Sequence, residues 1–175
     1  IALMAGIGFN VYRFSICWSR IFPTGQEEQP NEEGLRFYEE MIDEMEKYGM
    51  EPLITIHHDE LPIYLAENYD GWSSRHTIDC YVKYCEVLFE RFGKRCRYWL
   101  TFNEINAVRG YAACGTHKCD NQTHYNAVHN MFLASAKAVK LGHERMPGSM
   151  FGAMYASSAL YPATCRPEDV FRYMQ

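Results

Sequence analysis

Short apolar segments alternate with longer amphipathic segments along this chain of 175 residues. The short segments are rich in β-branched and aromatic residues, which is typical of buried strands. They cover residues 11–18, 52–57, 97–102 and 150–155. The longer segments carry apolar residues at the spacing of a helix face. They cover residues 35–48, 78–92 and 127–139. Strands and helices that alternate about every 40 to 50 residues predict parallel βαβ units.

The ends of the predicted helices carry their own signals. Asn31 followed by two glutamates is a typical N-cap and acidic first turn for the first long helix. Gly49 and Gly93 follow the last apolar positions of the first two helices, where glycine commonly ends a helix. Thr123 is the predicted cap of the third helix, which stops before Pro147. The three long helices therefore have predicted ends as well as predicted faces.

Two α/β architectures fit this alternation, an open doubly wound sheet and a (β/α)8 TIM barrel. A dinucleotide-binding sheet would place a glycine-rich turn after its first strand, whereas the Gly6-Ile7-Gly8 run precedes a strand. The barrel is therefore the better interpretation. A complete barrel typically needs about 250 residues, so the four parallel βα units predicted here make about half of one. No linker divides the chain, and we treat residues 1–175 as one partial barrel domain.

Composition and charge narrow the class of function. Hydrophobic residues make up 47% of the chain, and the formal net charge is −5. A net negative charge does not favour binding to nucleic acid or to an anionic membrane, because both are negatively charged and attract basic surfaces. No apolar run approaches the roughly 20 residues of a membrane span. Composition therefore predicts neither a nucleic acid nor a membrane as the partner.

Cysteine usage bears on compartment and on metals. Seven cysteines, an odd number without a C-x-x-C pair, favour reduced thiols and a cytoplasmic location. Cys114, Cys119, His124 and His129 recur at intervals of five residues, which matches no standard zinc pattern. The sequence predicts neither a metal nor an organic cofactor.

Polar and ionisable residues cluster where the predicted strands end, which is where the active site of a barrel lies. They occupy residues 13–18, 57–60 and 103–104. In the last of these, Glu104 follows Asn103 directly. A carboxylic acid beside an amide suits general acid catalysis on a polyhydroxylated substrate, because the acid protonates a leaving oxygen while the amide holds a neighbouring hydroxyl.

Three segments carry a family resemblance. Residues 101–106 read T-F-N-E-I-N, residues 13–23 read R-F-S-I-C-W-S-R-I-F-P, and residues 58–62 read H-D-E-L-P. In this order they resemble the motifs of glycoside hydrolase family 1, the retaining β-glucosidases, over essentially the whole chain. Residues 102–106 and 69–75 are similar to the bacterial 6-phospho-β-glucosidase branch of that family. The resemblance implies a β-glucoside or 6-phospho-β-glucoside as the substrate.

The resemblance also implies residue roles. Glu104 would be the acid/base, and Asn103 would hydrogen-bond the sugar 2-hydroxyl. His58 would hold another hydroxyl of the sugar, and Arg13 would lie under the nucleophilic carboxylate and keep it ionised. Trp18 would border the sugar pocket. No cofactor and no metal are implied.

The chain departs from the family pattern at two points. Asp59 stands where the family usually has an aromatic residue. The T-E-N-G motif that holds the family's nucleophile does not occur in residues 1–175, and Asp59 and Glu60 are poor substitutes. The rival hypothesis is a non-catalytic half-barrel that forms a homo-oligomer, because an open parallel sheet leaves two unpaired edges.

Overall fold

Four parallel strands form one sheet in the chain order β1-β2-β3-β4. The structure is a computed structural model that describes residues 1–174; Gln175, the last residue of the predicted domain, lies outside the described residues. The strands are β1 (Val11–Ser15), β2 (Glu51–His57), β3 (Tyr98–Phe102) and β4 (Met150–Gly152). Helices separate the strands, so the predicted βα alternation is confirmed.

Within residues 1–174, three long helices and five short ones precede, connect or follow the strands. The long helices are α3 (Glu32–Lys47), α5 (Arg75–Phe92) and α7 (Asn121–Arg145). The short helices are α1 (Ala2–Gly6), α2 (Trp18–Ile21), α4 (Ile63–Tyr69), α6 (Gly110–Cys114) and α8 (Pro167–Met174). A single 3₁₀ turn covers Gly71–Ser73. The long helices were predicted from their apolar periodicity, which the short loop helices are too brief to show.

A side chain caps the N-terminus of each of the three long helices, where the first backbone N–H groups have no partner within the helix. The Asn31 side chain accepts a hydrogen bond from the Glu33 backbone N–H at 3.1 Å, as predicted. The cap of α7 is Asp120, so the prediction of Thr123 was wrong. The Asp120 carboxylate accepts from both the backbone N–H and the hydroxyl of Thr123, at 2.9 and 2.8 Å. The two carboxylate oxygens of Asp120 each accept one of these bonds, whereas a threonine side chain has only one oxygen.

Two strands end earlier than predicted. β1 stops at Ser15, because the chain then turns into helix α2 at Trp18. β4 stops at Gly152, although the next segment stays beside β3, since the Met154 backbone N–H donates to the Phe102 carbonyl at 2.9 Å. Both are edge strands and have a ladder partner on one side only.

The core lies between the sheet and the helices. Its largest fully buried side chains include Trp18, Trp72, Trp99, Tyr81 and Tyr84. All three tryptophans of the sequence are therefore packing residues of this layer. The Trp99 indole also donates to the Cys96 carbonyl at 3.0 Å.

The loops after β2 and β3 touch through two glycines. Gly71 has φ of +54°, and a Cβ placed on it would lie 2.7 Å from the Cα of Gly115 and would also collide with the Cys114 carbonyl. Only a residue without a side chain permits this approach of backbone to backbone. The contact connects the two loops that flank the carboxyl ends of β2 and β3.

We therefore expect Gly71→Ala to lower the free energy of unfolding by about 2 to 4 kcal/mol, because it adds overlap to an unfavourable φ. Gly110→Ala is the matched control, since Gly110 has a similar φ of +71° but nothing within 4 Å of its ideal Cβ. It should lose only about 1 kcal/mol. Equal losses in urea unfolding would contradict the proposed close approach.

Candidate active site

The sequence-predicted polar residues meet at one edge of the sheet. Arg13 lies on β1, His58 directly follows β2, and Asn103 and Glu104 directly follow β3. The three strands are parallel and in register, with Ser15 paired to Thr55 and His57 paired to Phe102. Their carboxyl ends therefore converge, as the predicted barrel requires.

The Arg13 side chain crosses from β1 to the end of β3. Its Nε donates to the Thr55 hydroxyl oxygen at 2.9 Å, and its Nη2 donates to the Asn103 amide oxygen at 2.7 Å. No carboxylate pairs with Arg13 among the described residues. Neutral oxygens hold the guanidinium here, and three of its five N–H donors remain for another acceptor.

Asn103 is held through both its backbone and its side chain. Its backbone N–H donates to the His57 carbonyl at 2.9 Å, and only 7% of the residue is exposed. A guanidinium can only donate, so the amide oxygen must face Arg13. The NH₂ group of Asn103 must then face the other way. This orientation offers a donor, rather than an acceptor, to a sugar hydroxyl.

Glu104 is exposed and has a backbone φ of +40°, which is uncommon for a residue with a side chain. Such backbone strain occurs at functional sites where the surrounding structure enforces it. Two residues on, the amide of Asn106 donates to the Ala156 carbonyl and accepts from its N–H, at 2.8 and 2.9 Å. This pair of bonds ties the loop after β3 to the segment after β4.

Two neighbouring histidines have opposite environments. His58 is exposed, so its ring can reach a substrate, whereas His57 is only 2% exposed. His57 packs edge-on against Trp72, with ring centroids 5.5 Å apart, and beside Phe102 at 5.1 Å. Burial, assisted by the charge of His58, lowers the pKa of His57 to about 3. Its Nε2 atom is buried without a hydrogen-bond partner among residues 1–174.

The structure places Trp18 differently from our prediction. The residue has no exposed surface, and its ring stacks on Tyr84 with centroids 5.3 Å apart and planes 5° from parallel. A fully enclosed ring cannot contact a sugar, so the assignment of Trp18 to the pocket border is corrected. Trp18 supports the site from beneath, because the gain from burying so large an aromatic surface draws it into the core.

Two tyrosines of α5 also support the site, and sequence reasoning missed them. The Tyr84 hydroxyl lies 2.8 Å from the Ile16 carbonyl oxygen and 3.2 Å from that of Ile56. The Tyr81 hydroxyl donates to the Thr101 carbonyl at 2.7 Å. The two hydroxyls thus lie against carbonyls at the ends of the three strands, and the single Tyr84 hydrogen is shared between Ile16 and Ile56. Their position on the inward face of α5 was the signal available in the sequence.

The other carboxylates near the site do not suit the role of nucleophile. Asp59 and Glu60 are exposed and follow His58 after β2, and Asp59 has a left-handed φ of +61°. Desolvation raises the pKa of Glu60, although the charge of His58 opposes this shift. A nucleophilic carboxylate is favoured by a low pKa, and the shift at Glu60 is in the opposite direction.

The described residues contain no group of three or more histidine, cysteine, aspartate or glutamate side chains that could hold a metal ion. Cys114, Cys119 and His124 do line one cavity of about 260 Å³, together with Arg109 and other residues of the loop after β3.

Across residues 1–174 no helix is both long enough and apolar enough to cross a lipid bilayer.

Parallel strands with an acid, an amide and an arginine gathered toward their carboxyl ends form part of a (β/α)8 barrel. The whole chain, residues 1–175, matches the model of Glycosyl hydrolase family 1, and the chain belongs to this family. A solved neighbour supports the barrel assignment. The family 1 β-glucosidase from Thermotoga maritima superposes on 99% of the chain with a TM-score of 0.87 at 35% identity, and 39% of that protein is covered.

Curated relatives share still more sequence. The chain is 46% identical to the aryl-phospho-β-D-glucosidase BglH of Bacillus subtilis, over the whole chain and 39% of that protein. It is 44% identical to a 6-phospho-β-glucosidase of Dickeya chrysanthemi, over 97% of the chain and 37% of that protein. The chain thus spans less than two fifths of the length of these relatives.

The buried His57 predicts a pH dependence of stability. The folded state keeps the ring neutral down to a pKa of about 3, whereas the unfolded chain takes up a proton below about 6.5. Stability is therefore complete above pH 6.5 and falls as the pH drops toward 3, by up to about 1.4 kcal/mol per pH unit.

The variant His57→Phe keeps a flat ring but removes the titration. Urea unfolding between pH 6.5 and 4.5 should show a shallower loss of stability in the variant than in the wild type. Identical pH slopes in the two proteins would contradict the neutral, buried state of His57.

Proposed function

We propose that these residues form the acid/base half of a retaining β-glycosidase whose substrates are 6-phospho-β-glucosides. The observation that carries the proposal is the Asn103–Glu104 pair at the end of β3, with the amide of Asn103 oriented by Arg13 at 2.7 Å. This pair provides an exposed acid beside a fixed donor. Membership of the family supports the reaction class.

In this proposal Glu104 moves the proton. It protonates the glycosidic oxygen as the bond to the leaving group breaks. It then takes a proton from the water that hydrolyses the covalent glycosyl-enzyme. The exposed position of Glu104 and the turn at its φ of +40° support this role, because they leave its carboxyl accessible beyond the strand end.

Asn103 and His58 bind the sugar in this proposal. The NH₂ group of Asn103 donates to the 2-hydroxyl, a contact that strengthens as the transition state forms. The exposed ring of His58 binds a second hydroxyl. Both residues directly follow a strand end, so their backbones are positioned by the sheet.

Arg13 serves the other catalytic carboxylate, the nucleophile that forms the glycosyl-enzyme in the first step. A retaining mechanism needs a nucleophilic carboxylate about 5 to 5.5 Å from the acid. We propose that this carboxylate is contributed from outside residues 1–175, where the family resemblance puts it. The three free donors of Arg13 would pair with it and keep it ionised.

The comparisons support a phosphate group on the proposed substrate. The two relatives named for phosphorylated glucosides are 46% and 44% identical to the chain, compared with 35% for the Thermotoga β-glucosidase. A phosphorylated sugar is retained inside a cell by its charge. We therefore propose a cytoplasmic location, which the odd number of cysteines without a C-x-x-C pair also favours.

The alternative is a non-catalytic half-barrel that associates with itself. Its specific support is the open sheet, since β1 and β4 have one neighbouring strand each, and Val11 and Met150 on them are 48% and 55% exposed. The intact mass of the native gene product separates the two hypotheses. A mass more than twice 20.4 kDa favours the enzyme, and a mass of 20.4 kDa favours the half-barrel, which would lack turnover.

The proposal predicts that the native protein hydrolyses a chromogenic aryl 6-phospho-β-glucoside and prefers it to the unphosphorylated aryl glucoside. Initial rates on the two substrates measure the preference. An equal or greater kcat/KM without the phosphate would contradict the substrate assignment, and no turnover of either would contradict the reaction class.

The acid role is tested with Glu104→Gln. The variant cannot supply the proton, so hydrolysis of a poorly activated leaving group such as an alkyl alcohol should fall at least about 100-fold. A well-activated nitrophenol leaves without a proton, and its release in the first step should be affected much less. An equal loss on both substrates, followed in single-turnover assays, would exclude Glu104 as the acid.

A further inference from the structure

Thr55 lies beneath the site and has no part in the roles described so far. It is the fifth residue of β2, and none of its surface is exposed. Its hydroxyl oxygen accepts the Nε–H of Arg13 at 2.9 Å. It therefore cannot touch a substrate, and the functional side chain that its hydroxyl contacts is Arg13.

The contact fixes one edge of the guanidinium at two points. Arg13 Nε and Nη2 lie on the same side of the planar group, and they donate to Thr55 and Asn103, respectively. Two bonds from one planar edge determine its rotation, whereas a single bond leaves it free to swing. Thr55 thereby fixes the plane from which Arg13 reaches the amide of Asn103.

We propose that Thr55 is a positioning residue for sugar recognition, a proposal that rests on the function proposed above. Its hydroxyl holds Arg13 so that the amide oxygen of Asn103 is engaged and the NH₂ group faces the sugar 2-hydroxyl. Without the hydroxyl, the Nε–H loses its acceptor in a partly buried place. The guanidinium then turns toward a new acceptor and releases the amide.

Two variants separate positioning from packing, because one removes the hydroxyl at constant shape and the other keeps the hydroxyl but loses a methyl group. Thr55→Val keeps the shape of the side chain but removes the acceptor, whereas Thr55→Ser keeps the acceptor. We expect Thr55→Val to lower kcat about 10- to 100-fold with little change in KM, since a small misplacement of a catalytic contact has effects of this size. Thr55→Ser should stay within about threefold of the wild type, because its hydroxyl restores the bond.

The substrate provides the second readout. On an aryl 2-deoxy-6-phospho-β-glucoside the contact to the 2-hydroxyl is absent, so Thr55→Val should lose clearly less than on the parent substrate, and the loss that remains reflects the contact of Arg13 with the nucleophile. In an Asn103→Ala background the same substitution should likewise cost less than it does alone. Equal losses on both substrates, or full additivity with Asn103→Ala, would overturn the proposal, as would a Thr55→Ser variant as poor as Thr55→Val.

A crystal structure of Thr55→Val tests the positioning role of Thr55 independently of activity. The proposal expects the hydrogen bond between Arg13 Nη2 and Asn103 Oδ1 to be broken or the amide to be turned. An unchanged arrangement of Arg13 and Asn103 would overturn it. If the wild-type protein cleaves no β-glucoside, the proposed function fails, and this crystal structure still tests Thr55.

Discussion

The side chain of Arg13 joins three strands at the edge of the sheet where the candidate site lies. It starts on β1, is held by Thr55 of β2 and engages Asn103 at the end of β3. A guanidinium has donors only, so this arrangement dictates which end of the Asn103 amide is left for a ligand. The orientation of the donor beside Glu104 thus depends on one arginine and its two neutral acceptors.

An aromatic layer beneath this edge keeps the strands in place. Trp18, Trp72 and the ring of His57 pack together, with Trp18 and Trp72 centroids 6.2 Å apart and those of Trp18 and His57 6.3 Å apart. Tyr81 and Tyr84 add hydrogen bonds to carbonyls at the strand ends. The site is therefore built on rigid elements, and its exposed residues, His58 and Glu104, follow directly from them.

The repeated pattern along the chain was enough to predict the strands, the long helices and the α/β barrel class, because those features depend on local periodicity. The motifs likewise identified Arg13, His58, Asn103 and Glu104, and the structure brings them to one edge. The burial of Trp18 and the acceptor role of Thr55 could not be read in the same way. Both depend on contacts between segments distant in sequence, such as the 42 residues that separate Arg13 from Thr55.

The most direct test of the account is the substitution Asn103→Asp in the native protein. The new carboxylate still accepts from Arg13, through a stronger charge-assisted bond, so the Tm should be unchanged or higher. It has no N–H to offer a sugar, so turnover of a substrate with a 2-hydroxyl should fall about 100-fold or more. Near-wild-type turnover with the fold retained would show that the amide oriented by Arg13 is not the sugar contact.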